Sequence, residues 1–136
     1  MPLMNWDNSL DVGVDAMNRE HQDILDLMNK IYDAREAGQR GASVVALVDQ
    51  LGQVTIDHFR DEEAYMDRIG YEGLASHKLI HKDLLAKFTG FAEEIRASQG
   101  EVPEKFLTFL KLWLSAHIRG IDMKYGPKAE TLKKAG

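Results

Sequence analysis

Seven side chains in this sequence are of a kind and at a spacing to share one task. His21, His58, His77, His81 and His117 are all the histidines of the chain, and two acids, Glu62 and Asp122, stand close to them in sequence. His58 and Glu62 are four positions apart, as are His77 and His81. On a helix that spacing turns a side chain by about 40° and sets it one turn along, so each pair can point at one ion. Asp122 follows His117 by five positions, which on a straight α-helix swings the carboxylate about 140° away. Gly120 lies between them, so the spacing predicts a π-type bulge or a loosened last turn that brings Asp122 back. Metal coordination is the chemistry these residues suit. A buried neutral imidazole needs a partner, and a metal can serve several imidazoles at once.

Five imidazoles and two carboxylates are more side-chain ligands than one small divalent ion takes, so the set predicts two ions. With Glu62 and Asp122 each bridging and one shared oxygen, about one position of two octahedra stays open. The chain has no cysteine, which leaves nitrogen and oxygen as the only donors and removes iron–sulfur clusters, thiolate zinc sites and disulfides together. Imidazole and carboxylate donors beside an open position suit redox-active iron, and the open position is the expected seat of dioxygen.

Four helical stretches must position these residues. An irregular N-terminal arm of about seventeen residues leads to a first helix expected near Asn18 as N-cap, with Ile24, Leu25, Leu27, Met28 and Ile31 at three-and-four spacing as far as Gly38. The second starts around Ser43 and carries Val44, Leu47, Val48, Leu51, Val54, His58, Glu62, Met66 and Ile69 to Gly70. The third carries Leu74, His77, His81, Leu84, Leu85, Phe88, Phe91 and Ile95 and stops before Gly100. Pro103 suits the first turn of the fourth, where its missing N–H is not needed, and Phe106, Leu107, Leu110, Trp113, Leu114 and His117 follow. All five histidines therefore lie on apolar stripes. The expected fold is all-α: an up-down-up-down antiparallel four-helix bundle in one domain, residues 1–136, with the arm in front and a short C-terminal tail behind. Glu63, Asp26, Glu93 and Glu94 read as solvated helix faces, and Glu20, beside His21, is assigned to solvent ahead of a hydrogen bond to a ligand imidazole.

Bulk properties exclude several classes. The chain has 136 residues, 44% hydrophobic and 29% charged, the balance of a soluble domain. A formal charge of −5 offers no basic excess for a phosphate backbone, so nucleic acid is not an expected partner. The apolar runs are too short to insert in a membrane, and the start, Met1-Pro2-Leu3-Met4-Asn5-Trp6-Asp7, lacks the regions of a secretory signal. A cytoplasmic location is the default expectation. Ferritin-like sites use Glu-x-x-His pairs, whereas no histidine here has an acid three positions before it. The zinc-protease motif His-Glu-x-x-His is absent as well.

Taken together, His21, His58-Phe59-Arg60-Asp61-Glu62, His77-Lys78-Leu79-Ile80-His81 and His117-Ile118-Arg119-Gly120-Ile121-Asp122 resemble, in order and spacing, the ligand set of the haemerythrin family. The flanks resemble its single-domain bacterial members: Trp6, Val12-Gly13-Val14, Met66, Gly70-Tyr71, Trp113 and Tyr125-Gly126-Pro127. Asn18 departs from the pattern, since the family often has an aspartate there. The resemblance implies two iron ions (Fe2+/Fe3+) joined by Glu62, Asp122 and a bridging hydroxide or oxide. His77, His81 and His117 hold the coordinatively filled iron, and His21 and His58 hold the iron with the open position. It further implies reversible dioxygen binding for storage, transport or delivery, by a protein that is not an enzyme. Reversibility needs a dry pocket, for which Leu25, Met28, Phe59, Leu114 and Ile118 are candidates. The chain ends 14 residues after Asp122, so no output domain of a sensor is expected. A monomer is expected, with an oxygen-consuming enzyme as recipient. The alternative is an oxygen-, redox- or nitric-oxide-reactive di-iron protein with an enzyme-like or sensing role.

Overall fold

Backbone groups left over at the helix ends explain where each element stops. The computed structural model describes residues 3–120 and 122. After a single 3₁₀ turn at Asn8–Leu10, four helices follow: α1 Asp15–Glu36, α2 Ala42–Arg68, α3 Leu74–Ala97 and α4 Glu104–Gly120. Among the described residues there is no strand. At the end of α1, Gly38 takes a φ of 75°, a region that costs glycine little, and the Gln39 N–H returns to the Ala34 carbonyl at 2.9 Å. At the end of α3 both Gln99 and Gly100 take a positive φ, 61° and 92°, and the Gly100 N–H closes on Ile95 at 2.8 Å. Gly100 is needed for a second reason besides its φ. A Cβ there would lie 2.5 Å from the backbone nitrogen of Gly41, because the α1–α2 and α3–α4 connections touch, with Gly41 N–H donating to the Gln99 carbonyl at 2.7 Å.

Two boundaries differ from the sequence reading. Asn18 is not the N-cap: α1 begins at Asp15 behind Val14, which makes no side-chain cap. Asn18 sits inside the helix and reaches back, its Oδ1 accepting from Val12 N–H at 3.0 Å and its Nδ2 donating to Asp11 at 2.8 Å. A side chain in the first turns can satisfy the chain that precedes a helix as well as one at the cap itself. Pro103 stands one residue before α4 rather than in its first turn, and its carbonyl accepts from Phe106 N–H at 3.0 Å.

The expected bundle is present, all-α and antiparallel. In it α1 packs on α2 and α4, α2 packs on α3, and the 3₁₀ turn packs on α4. Contacts of Phe88 and Phe91 with Phe106, and of Phe91 with Phe109, join α3 to α4. The arm is shorter than expected and fastened: Asn29 on α1 exchanges two hydrogen bonds with the backbone of Met4, and Leu10 and Val12 are buried. The stripes face inward as their periodicity requires, with Ile24, Met28, Ile31, Val44, Leu51, Ile95, Phe106 and Leu110 fully enclosed. Along α3 the shell is looser, since Leu74, Leu84, Leu85 and Phe91 are only partly covered.

This topology positions the chemistry. His21 is near the start of α1, His58 and Glu62 are towards the end of α2, His77 and His81 open α3, and His117 is near the end of α4. Alternating helix directions bring those four places to the same end of the bundle. The opposite end is left to apolar side chains.

Candidate metal centre

The five histidines and two acids singled out above are all buried, from 0% exposed for Glu62 and Asp122 to 7% for His117. They form two groups of donor atoms, each within 4.8 Å of one another: Glu62, His77, His81, His117 and Asp122 in one, His21, His58, Glu62 and Asp122 in the other. Nitrogen and oxygen donors held about 2.1 Å from one ion stand at most about 4.2 Å apart, so each group is nearly drawn in to coordination size. The two acids belong to both groups, and each divides its oxygens between them. Glu62 Oε1 is 3.2 Å from His77 Nε2 and 2.9 Å from His81 Nε2, while its Oε2 is 3.2 Å from His58 Nε2 and 3.5 Å from His21 Nε2. Asp122 Oδ1 is 2.9 Å from His77 Nε2 and 3.0 Å from His117 Nε2, and Oδ2 is 3.1 Å from His21 Nε2.

Asp122 reaches this place without a π-bulge in α4. The helix keeps its α geometry through Gly120, and Asp122 follows in a 3₁₀ conformation, so of the two expected devices the departure comes at the last turn. Residue 121 lies outside the described residues, as does the tail with Tyr125-Gly126-Pro127.

For several of these atoms a short distance is not a hydrogen bond. Nε2 of His21, His81 and His117 and both oxygens of Asp122 are enclosed yet make no hydrogen bond among the described residues. Polar atoms buried in this way are costly. They would be satisfied together by cations seated between the nitrogens and the carboxylates, so the donor set fits two metal ions with Glu62 and Asp122 as bridges. All the convergent ring atoms are Nε2.

Electrostatics agree with a site built for positive charge. Burial alone would lower the histidines' pKa values, but Glu20 and Glu62 outweigh it at His58, which is raised to about 10. Asp122 and Glu62 do the same at His77, raised to about 9. The acids respond in the opposite sense: burial pushes Glu62 and Asp122 up, and the surrounding imidazoles hold both below the usual carboxylate range. The raised values at His58 and His77 favour protons that offset the acids, a role that a bound metal would take over.

Two assignments made from sequence are overturned. Glu63 is not a solvated residue: its Oε2 lies 2.9 Å from His81 Nδ1. Glu20 is not given over to solvent either, since its Oε1 lies 2.7 Å from His58 Nδ1, and burial raises its carboxyl above the usual value against the pull of His58. The usable signal was chemical: a metal-binding imidazole needs its second nitrogen held, and acids next to ligand positions are the nearest candidates. Asp26, Glu93 and Glu94 are exposed, as expected. Of the proposed pocket residues, Leu25, Met28, Phe59, Leu114 and Ile118 are all buried. Phe59 stacks flat on His81 with ring centres 3.7 Å apart and meets Trp113 edge-on at 6.0 Å.

Comparison with known proteins bears on this geometry. The profile of the Hemerythrin HHE cation binding domain matches residues 12–129. The chain is 36% identical to a myohemerythrin of Riftia pachyptila over 120 residues, 88% of either chain. It is 29% identical to a bacteriohemerythrin of Stenotrophomonas maltophilia over 130 residues, 96% of this chain and 84% of that one. A crystal structure of wild-type hemerythrin superposes with a TM-score of 0.84 at 30% identity, covering 92% of this chain and 96% of that one.

Proposed function

Because the chain belongs to the haemerythrin family, we propose that it binds dioxygen reversibly at a non-haem di-iron centre held by His21, His58, Glu62, His77, His81, His117 and Asp122. The observation that carries this reading is the division of both carboxylates: one oxygen of Glu62 and one of Asp122 face each donor group. An acid so placed would hold two ions side by side. When bound, the iron pair supplies two electrons to dioxygen and recovers them on release.

The protein's own residues account for the rest. The group with three imidazoles is the fuller one, and the group with His21 and His58, one nitrogen poorer, is the one whose ion would keep a position free for dioxygen. Leu25, Met28, Leu114 and Ile118, from α1 and α4, together with Phe59 are buried hydrocarbon and would keep water and stray protons away from the site, as reversible binding needs. The stacking of Phe59 on His81 also fixes that ring's plane. One domain across residues 1–136 is part of the reading, supported by the match over 12–129. So are a carrier rather than an enzyme, a monomeric state, a cytoplasmic location and an oxygen-consuming enzyme as recipient. No helix among the described residues is long and apolar enough to cross a membrane.

Stopped-flow mixing of the anaerobic, iron-loaded, reduced protein with dioxygen tests this. A visible band that forms, disappears under argon and re-forms over repeated cycles is expected. Rapid, irreversible oxidation in the first cycle would favour the redox alternative, and indifference to oxygen would end the proposal.

A further inference from the structure

His58 and His81 are each gripped at both ring nitrogens by carboxylates. Glu62 is the acid on the inner side, 3.2 Å from His58 Nε2 and 2.9 Å from His81 Nε2. On the outer side stand two different acids, each from the preceding helix. Glu20 on α1 backs His58 of α2, with 2.7 Å between Oε1 and Nδ1, and Glu63 on α2 backs His81 of α3, with 2.9 Å between Oε2 and Nδ1. The outer acids are set alike in the bundle: both have side chains 27% exposed, at the rim of the buried cluster. The histidines they back fall in different donor groups.

We propose that Glu20 and Glu63 are positioning residues of the centre, one for each metal ion, acting through His58 and His81. An ionised carboxylate only accepts hydrogen bonds, so when the ring gives up a proton to bind metal the one that stays is held on Nδ1, and it is Nε2 that turns a lone pair inward. Negative charge behind the ring strengthens Nε2 as a donor, and the hydrogen bond sets the ring's angle before metal arrives. Adjacent residues divide the labour on α2. Glu62 points into the cluster, and Glu63, about 100° further round the helix, reaches the far side of the same His81 ring. The inference rests on the di-iron reading above and adds that each ion's retention is governed by a separate acid outside the ligand set.

The test is iron retention, which is independent of oxygen binding. Iron-loaded wild-type protein, Glu20→Met, Glu63→Met, Glu20→Gln and Glu63→Gln are challenged with an excess of a ferrous chelator, and iron per chain is followed in time. Methionine keeps the packing volume and removes the acceptor; glutamine keeps an acceptor oxygen and removes the charge. Each methionine variant is expected to lose one of two irons about 10- to 100-fold faster than wild type, the other leaving at the wild-type rate. The glutamine variants fall between. If methionine disturbs the fold, seen as lost helical circular dichroism, the glutamine variants decide. Release at wild-type rates from variants that start with two irons would overturn the positioning role alone. A wild-type protein that never holds two irons would overturn the di-iron reading with it.

Discussion

The two ends of the bundle are built by the same four helices and held by opposite means. At one end Ile31, Val44, Val48, Leu51, Ile95, Phe106 and Leu110 pack with at most 1% exposure, and Phe88 and Phe91 close over Phe106 at ring distances of 5.8 and 5.4 Å. At the other, seven ionisable side chains occupy buried positions, none more than 7% exposed. Hydrocarbon that leaves water is stabilising without any partner of particular kind, whereas buried imidazoles and carboxylates stabilise only when charges and lone pairs are matched. The contrast predicts that the metal site can be varied with the bundle intact, but not the reverse.

The sharpest break between the ends is expected from Glu62→Ala. It removes the acid shared by both donor groups and is expected to abolish dioxygen binding and the oxygen-dependent visible band, with helical circular dichroism retained. Two irons and a normal oxygenated spectrum in this variant would contradict its assignment. At the other end, Phe106→Ala leaves a cavity at a side chain with 0% exposure and should cost about 3–5 kcal/mol in urea unfolding, whether or not iron is bound. A cost that vanished in the iron-free protein would mean that the two ends are not separable.

Removing the iron should be felt unevenly. In iron-free protein, amide exchange is expected to quicken around His21, His58–Glu62 and His77–His81 and to stay slow around Leu51, Ile95 and Leu110; uniform loss of protection would contradict the division.

A smaller effect concerns protons. His58 and His77 are raised to about 10 and about 9, so both are charged in iron-free protein at neutral pH and must lose a proton to bind iron. Loading at pH 7 is expected to release about two protons per chain from these two rings, read by calorimetry in buffers of different ionisation enthalpy. The sign for stability follows: a raised histidine stabilises fully below its unfolded value near 6.5 and ceases to as pH climbs through its folded value. Iron-free protein should therefore weaken between about pH 6.5 and 10, and a midpoint flat across that range would contradict it.

Much of this was legible in the sequence because two codes are local. The 3.6-residue period named the inward face of each helix, and ligand chemistry on that face singled out the residues that the fold gathers. What is not local was missed. Glu63 looked like a helix surface because its place beside Glu62 marks it only as a candidate, and α2 alone does not tell that His81 of α3 stands opposite it. Asn18 looked like a cap because the sequence does not tell whether its amide serves the helix or, as it does, Val12 and Asp11 before it. The return of Asp122 was inferred from the need for a ligand, and the spacing alone did not choose between a bulge and the 3₁₀ conformation that Asp122 takes.

The stoichiometry of gas to metal tests the paired centre most directly. Reduced, iron-loaded protein is titrated anaerobically with measured dioxygen, with iron counted on the same sample. Two irons and one dioxygen per chain, the gas recovered under argon, is the expected result. One iron per chain, or two irons with no reversible uptake, would contradict a shared centre built on Glu62 and Asp122.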